Sequence, residues 1–105
     1  MIMGEWRDLC KVDEVPEGHV KVFQVDGRRI ALCRVGSNEF YAVQDVCTHD
    51  NGPLGEGELI DHAIECPRHG ARFDVRSGKV LALPAVIPIK TFPVQLQGDK
   101  VMVEV

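Results

Sequence analysis

The sequence predicts an all-β domain, and three observations carry that expectation. Short runs of alternating or β-branched residues recur along the chain, separated by Gly, Pro, Asn and Asp. Apolar residues at helical spacing are nearly absent. The chain has 105 residues, of which 45% are hydrophobic and 27% charged. That composition belongs to a folded domain with a modest core, not to a disordered tail or a collagenous repeat. Roughly ten short strands fit an antiparallel sandwich or barrel, with residues 1–105 as a single domain.

The strands are expected as follows. Trp6–Lys11 is the first. His19–Val25 alternates polar and apolar residues and ends at Asp26-Gly27, a dipeptide suited to a tight hairpin. Arg29–Val35 returns, with Ala31, Cys33 and Val35 on one face, and Phe40–Val43 follows the Gly36-Ser37-Asn38 break. Glu58–Ile60 and Ala63–Glu65 flank Asp61-His62, and Arg72–Val75 and Lys79–Leu81 flank Ser77-Gly78. Ile89–Leu96 and Val101–Val105 close the chain around Gly98-Asp99. Trp6 and Phe23 are expected in the core, and Cys10 and Cys33 as buried reduced thiols.

Charge and hydropathy narrow the partners. Twelve basic against sixteen acidic residues leave a net charge of −4, which disfavours nucleic acid as a partner. No long apolar stretch follows the first residues of MIMGEWRDLC, so no signal peptide is expected. The longest apolar run, 81–89, is interrupted by Pro84 and Pro88 and is too short to span a bilayer. A cytoplasmic protein follows, and in that compartment thiols stay reduced. Cysteines paired with histidines then point to metal more than to disulfides.

Two segments break the strand rhythm, CTHDNGPLGEGEL from Cys47 and CPRHGA from Cys66. Irregular loops on a rigid β scaffold are where sites sit. The first loop carries Cys47-x-His49 and the second Cys66-x-x-His69, sixteen residues further on. Two thiolates and two imidazoles suit either a tetrahedral zinc or a two-iron cluster. Zinc fingers usually segregate cysteines from histidines and carry the histidines on a helix; here each loop is mixed and no helix is expected.

The double motif resembles the Rieske family, whose two loops read C-x-H and C-x-x-H; CTH at 47–49 and CPRHG at 66–70 match it. The resemblance implies a Rieske-type antiparallel β-sandwich or barrel, with a small cluster-binding subdomain of two loops at 45–83. It implies a 2Fe–2S cluster in which Cys47 and Cys66 bind one iron, and His49 and His69 the other. Length and strand order look like a soluble ferredoxin of bacterial ring-hydroxylating oxygenase systems. Such a protein is not itself an enzyme. It accepts electrons from an NAD(P)H-dependent flavoprotein reductase and passes them to a non-haem iron oxygenase, and a monomer is expected. The same resemblance leaves open a nitrite-reductase small subunit or a ferredoxin for iron–sulfur assembly. A Cys2His2 structural zinc module is the alternative of another class. An oxygenase in its own right fails on inventory, because only His19 and His62 remain for a mononuclear iron.

Neighbouring positions carry further expectations. Gly52 and Gly70 suit tight turns or close approach to the cluster, and Pro67 stiffens the second loop. Leu54 resembles an apolar shield, and Pro84 resembles a proline loop beside the cluster. Arg68 either adds positive potential, meets a partner or is solvated. His19 is expected in solvent and His62 at a turn, outside the ligand set.

Two ferric ions and two sulfides carry two net positive charges, which two thiolates cancel, whereas four thiolates leave the site doubly negative. A neutral site accepts an electron more readily, so imidazole ligation raises the potential. High-potential relatives in cytochrome bc complexes brace the two loops with a disulfide. The matching positions here are Gly52 and Arg68. Those relatives also hydrogen-bond the cluster through Ser and Tyr hydroxyls, where this chain has Ala71 and Phe73. Hydrogen bonds to sulfur favour the reduced state, so their loss lowers the potential. A redox titration is expected to give a midpoint toward the negative end of the Rieske range, about −150 mV; one near its positive end would overturn the reading. His69→Cys should lower it further if a cluster assembles.

Overall fold

The computed structural model describes residues 4–105, so residues 1–3 of the N-terminal segment lie outside the description. Among the described residues eleven strands form three antiparallel sheets. The first sheet orders β1 (Trp6–Lys11), β11 (Lys100–Glu104) and β10 (Val94–Gln97). The second orders β2 (His19–Val25), β3 (Arg28–Gly36), β4 (Glu39–Gln44) and β9 (Thr91–Phe92). The third orders β5 (Glu58–Ile60), β6 (Ala63–Glu65), β7 (Arg72–Asp74) and β8 (Val80–Ala82). A single short 3-10 turn at Val12–Glu14 is the one helical element among the described residues.

The second sheet lies at the centre because β3 is buried on both faces. Ile30, Ala31, Leu32 and Cys33 are all fully buried. Since side chains alternate across a strand, Ala31 and Cys33 face one core while Ile30 and Leu32 face another. The second core adds Val101 and Val103 from the first sheet. The first core adds Ile64 and Phe73 from the third sheet and Val75 from the turn after β7, together with Cys47, Leu54 and Cys66. The site is therefore built on one face of the central sheet. The β2–β3 hairpin is set by Asp26 and Gly27, both with positive φ (51° and 78°), the geometry of a type I′ turn.

Three expectations change. Ile89–Leu96 is not one strand: β9 pairs with β4 and β10 with β11. Pro93 stands between them, and lacking an N–H it cannot continue a ladder; its carbonyl accepts from the Glu104 amide at 3.0 Å. Trp6 is 39% exposed rather than in the core, because β1 pairs on only one side and lies at an edge of its sheet. The 72–81 hairpin shifts by one residue, with a register irregularity between Arg72 and Phe73. Its turn is closed by Gly78 N–H to Asp74 C=O at 2.7 Å, which turns Val75 into the core.

Gly57 sits where the third sheet begins, its amide on the Leu54 carbonyl at 3.0 Å. A Cβ there would fall 1.7 Å from the Glu65 carbonyl oxygen. Gly57→Ala must push two backbone segments apart, and is expected to cost about 1–3 kcal/mol. Thermal unfolding reads this as a fall in Tm of several degrees; an unchanged Tm would refute the contact.

Candidate metal centre

Two tight reversals carry the four candidate donors. In the first, Asn51 N–H bonds the Cys47 carbonyl at 2.7 Å and Cys47 N–H bonds the Gly52 carbonyl at 2.8 Å. In the second, Gly70 N–H bonds the Cys66 carbonyl at 3.1 Å and Cys66 N–H bonds the Ala71 carbonyl at 2.7 Å. Both loops need a left-handed residue, and Asn51 (φ 61°) and Gly70 (φ 78°) supply it. Each loop thus places its cysteine at the stem and its histidine near the tip.

The structure brings the two cysteines together and, separately, the two histidines. Cys47 and Cys66 are buried. Their sulfurs and an Asp50 carboxylate oxygen lie within 4.8 Å of one another. His49 and His69 are exposed and meet edge to face, ring centroids 5.1 Å apart at 89°. Burial, reinforced by the neighbouring Cys66 thiol, pushes the Cys47 thiol up, while the nearby backbone amides of His49 and Asp50 pull the other way. A metal ion on that sulfur would displace its proton, and the two amides would then stabilise the thiolate. Two adjacent buried thiols and two adjacent accessible imidazoles are a donor set that fits a two-iron cluster.

Asp50 is close to the thiols without being free to ligate. Its carboxylate takes Arg68 Nε at 2.5 Å, Arg68 Nη2 at 3.0 Å and the Gly52 amide at 2.9 Å. The Arg68 guanidinium, then the Gly52 amide, hold its carboxyl well below the usual carboxylate range. Arg68 is exposed but its guanidinium is engaged: a third bond, Nη1 to the Pro53 carbonyl at 2.8 Å, ties it to the first loop.

The other expected positions fall as follows. Leu54 is fully buried in the core that contains both thiols. Pro84 follows a cis peptide bond in the segment beside the first loop, where Thr48 Oγ1 donates to the Ile87 carbonyl at 2.5 Å. That segment exposes Leu83, Val86 and Ile87. Ala71 and Phe73 are both buried. His62 lies apart, its Nε2 2.6 Å from Glu39 Oε2, and exposed His19 hydrogen-bonds the Glu17 carbonyl through Nδ1 at 2.9 Å. Cys33 is buried and Cys10 only half-buried, with burial pushing their thiols up to about 12 and about 11.

A family model described as Rieske [2Fe-2S] domain matches residues 5–93. The ferredoxin component of biphenyl 2,3-dioxygenase from Rhodococcus jostii (strain RHA1) is 43% identical over 96 residues, spanning 91% of this chain and 89% of that protein. The ferredoxin of carbazole 1,9a-dioxygenase from Nocardioides aromaticivorans IC177 superposes with a TM-score of 0.89 at 33% identity, over 93% of this chain and 95% of that one. A chain in the complex of reduced oxygenase and oxidized ferredoxin of carbazole 1,9a-dioxygenase gives 0.87 at 34% identity, over 94% of this chain and 92% of its own length.

The sequence reading missed Asp45. This carboxylate is 2% exposed. Its Oδ1 accepts from the amides of Leu54 (2.9 Å) and Gly55 (2.6 Å), and its Oδ2 from Arg29 Nε (3.0 Å) and Nη2 (2.8 Å). The signal was an acid at the end of an apolar strand, two residues before a candidate donor cysteine. Asp45→Ala strips two loop amides and a guanidinium of their acceptor, and is expected to cost about 2–4 kcal/mol in urea unfolding. A loss below about 0.5 kcal/mol would show that Asp45 is not the anchor described.

Proposed function

This chain belongs to the Rieske [2Fe-2S] domain family, and from that premise we propose that it is the ferredoxin component of a ring-hydroxylating dioxygenase system. It carries one electron at a time from an NAD(P)H-dependent flavoprotein reductase to a non-haem iron oxygenase. Cys47 and Cys66 hold one iron of the cluster, and His49 and His69 the other. The observation that carries this reading is the pairing of two buried thiols at the loop stems and of two exposed imidazoles near their tips. The cluster supplies one-electron redox chemistry when bound.

The chain's own residues define how that electron is reached. The exposed edges of His49 and His69 form the contact tip. Leu83, Val86 and Ile87 beside them add apolar surface, held to the first loop through Thr48. A small patch of this kind suits a short-lived encounter of low buried area. Residues 45–83 act as the cluster-binding subdomain, and the remaining strands as its base. The protein works as a monomer in the cytoplasm, a compartment in which four unpaired cysteines persist. Among the described residues no helix is long and apolar enough to cross a membrane. Similarity to ferredoxin components of dioxygenases favours this assignment over a nitrite-reductase subunit, an assembly ferredoxin or a zinc module.

Purified protein is expected to be reddish-brown, to give a rhombic EPR signal on reduction, and to support NADH-dependent turnover between a flavoprotein reductase and an aromatic-ring dioxygenase. A colourless, zinc-loaded protein would overturn the reading. Cys47→Ser should lose most of its iron; unchanged iron content and EPR would refute the ligand assignment.

A further inference from the structure

We propose that Arg68 is a positioning residue which, with Asp50, forms an ionic strut across the two cluster loops and holds their thiols and imidazoles in one arrangement. The inference rests on the ferredoxin reading for what the loops hold, and on geometry for the strut itself. Arg68 belongs to the second loop and all its hydrogen-bond partners belong to the first: both oxygens of Asp50 and the carbonyl of Pro53. All three bonds run directly from one loop to the other.

The first loop is shaped to receive the guanidinium. A Cβ at Gly52 would fall 2.6 Å from Arg68 Cζ and 2.7 Å from Nη2, so the planar group lies against bare backbone. Asp50 is presented by its own bond to the Gly52 amide, and it also lies 3.7 Å from His69 Nδ1. One carboxylate thus faces the arginine, the thiols and the second histidine. A bidentate guanidinium–carboxylate pair fixes orientation as well as distance, which a lysine at the same place cannot do. Positions 52 and 68 are the two at which a disulfide would tie these loops. Here the tie is non-covalent, runs from 68 to 50 and 53, and needs glycine at 52 to make room.

The strut is tested on the holoprotein with Arg68→Leu, Arg68→Lys and Gly52→Ala. Arg68→Leu is expected to lose visible absorption in excess chelator about 10- to 100-fold faster than the unchanged protein, the range for removing a group that orients metal ligands. Its reduced-state EPR lines should broaden as ligand positions become heterogeneous. Arg68→Lys should recover part of both properties, and Gly52→Ala should reproduce the defect by wedging the guanidinium away. Bleaching of the unchanged protein should quicken with salt, and that of Arg68→Leu should not. Equal bleaching rates, EPR linewidths and salt response in Arg68→Leu and the unchanged protein would overturn the proposal. Amide hydrogen exchange at 50–53 and 67–70 reads the strut without a cluster. Faster exchange there in Arg68→Leu supports it even in a colourless protein, which would overturn the ferredoxin reading alone; unchanged exchange refutes the strut.

Discussion

The carboxylate of Asp45 has no access to water, so its charge must be met by donors, and the donors it recruits come from separate parts of the chain. Arg29 arrives from β3, and the amides of Leu54 and Gly55 arrive from the far side of the first cluster loop. A buried acid left without such partners is costly, and this requirement joins base to tip. With one end at Cys47 and the other at Leu54 fixed to β4, the intervening residues can close only as a compact reversal. The Cys47 carbonyl and amide are used in that reversal, so the thiol points inward. The third sheet then enters against Gly57, whose missing side chain allows contact with the Glu65 carbonyl.

The two loops share a polarity that matters for electron transfer. Their stems are buried in the same core as Leu54, Ile64 and Phe73, and their tips are in solvent. Thiols sit at the stems, where access to water and oxidants is low, and imidazoles at the tips, where a partner can approach. Surrounding residues add few hydrogen-bond donors: Ala71 and Phe73 bring no hydroxyl to the site, while the amides of His49 and Asp50 serve the Cys47 sulfur. The chain thus combines tightly tied loops with a sparse hydrogen-bond environment around the candidate donors.

Much of this was legible in the sequence, and the exceptions have physical causes. The Asp26-Gly27 turn, the alternation of His19–Val25 and the hairpin about Asp61-His62 all appear where local chemistry puts them. Ile89–Leu96 read as one strand because each half carries β-type residues; only the arrangement of two sheets shows that Pro93 is the crossing point. Trp6 read as core because a large aromatic is expensive to expose. Its exposure follows from the edge position of β1, which no local pattern encodes. Arg68 read as ambiguous because an arginine between Pro and His has no partner in its own neighbourhood; its partner lies eighteen residues away.

The sequence by itself determined the fold class and named the candidate donors. Strand periodicity and turn residues are local properties, and Cys47, His49, Cys66 and His69 carry their chemistry wherever they are placed. Tertiary structure alone decided that Asp45 and Arg29 meet in the interior, that Arg68 crosses to Asp50 over a bare Gly52, and that the thiols are covered while the imidazoles are not. Those outcomes depend on distances between residues far apart in the chain. Such distances are set only when β3 is buried on both faces and the loops are pinned to it.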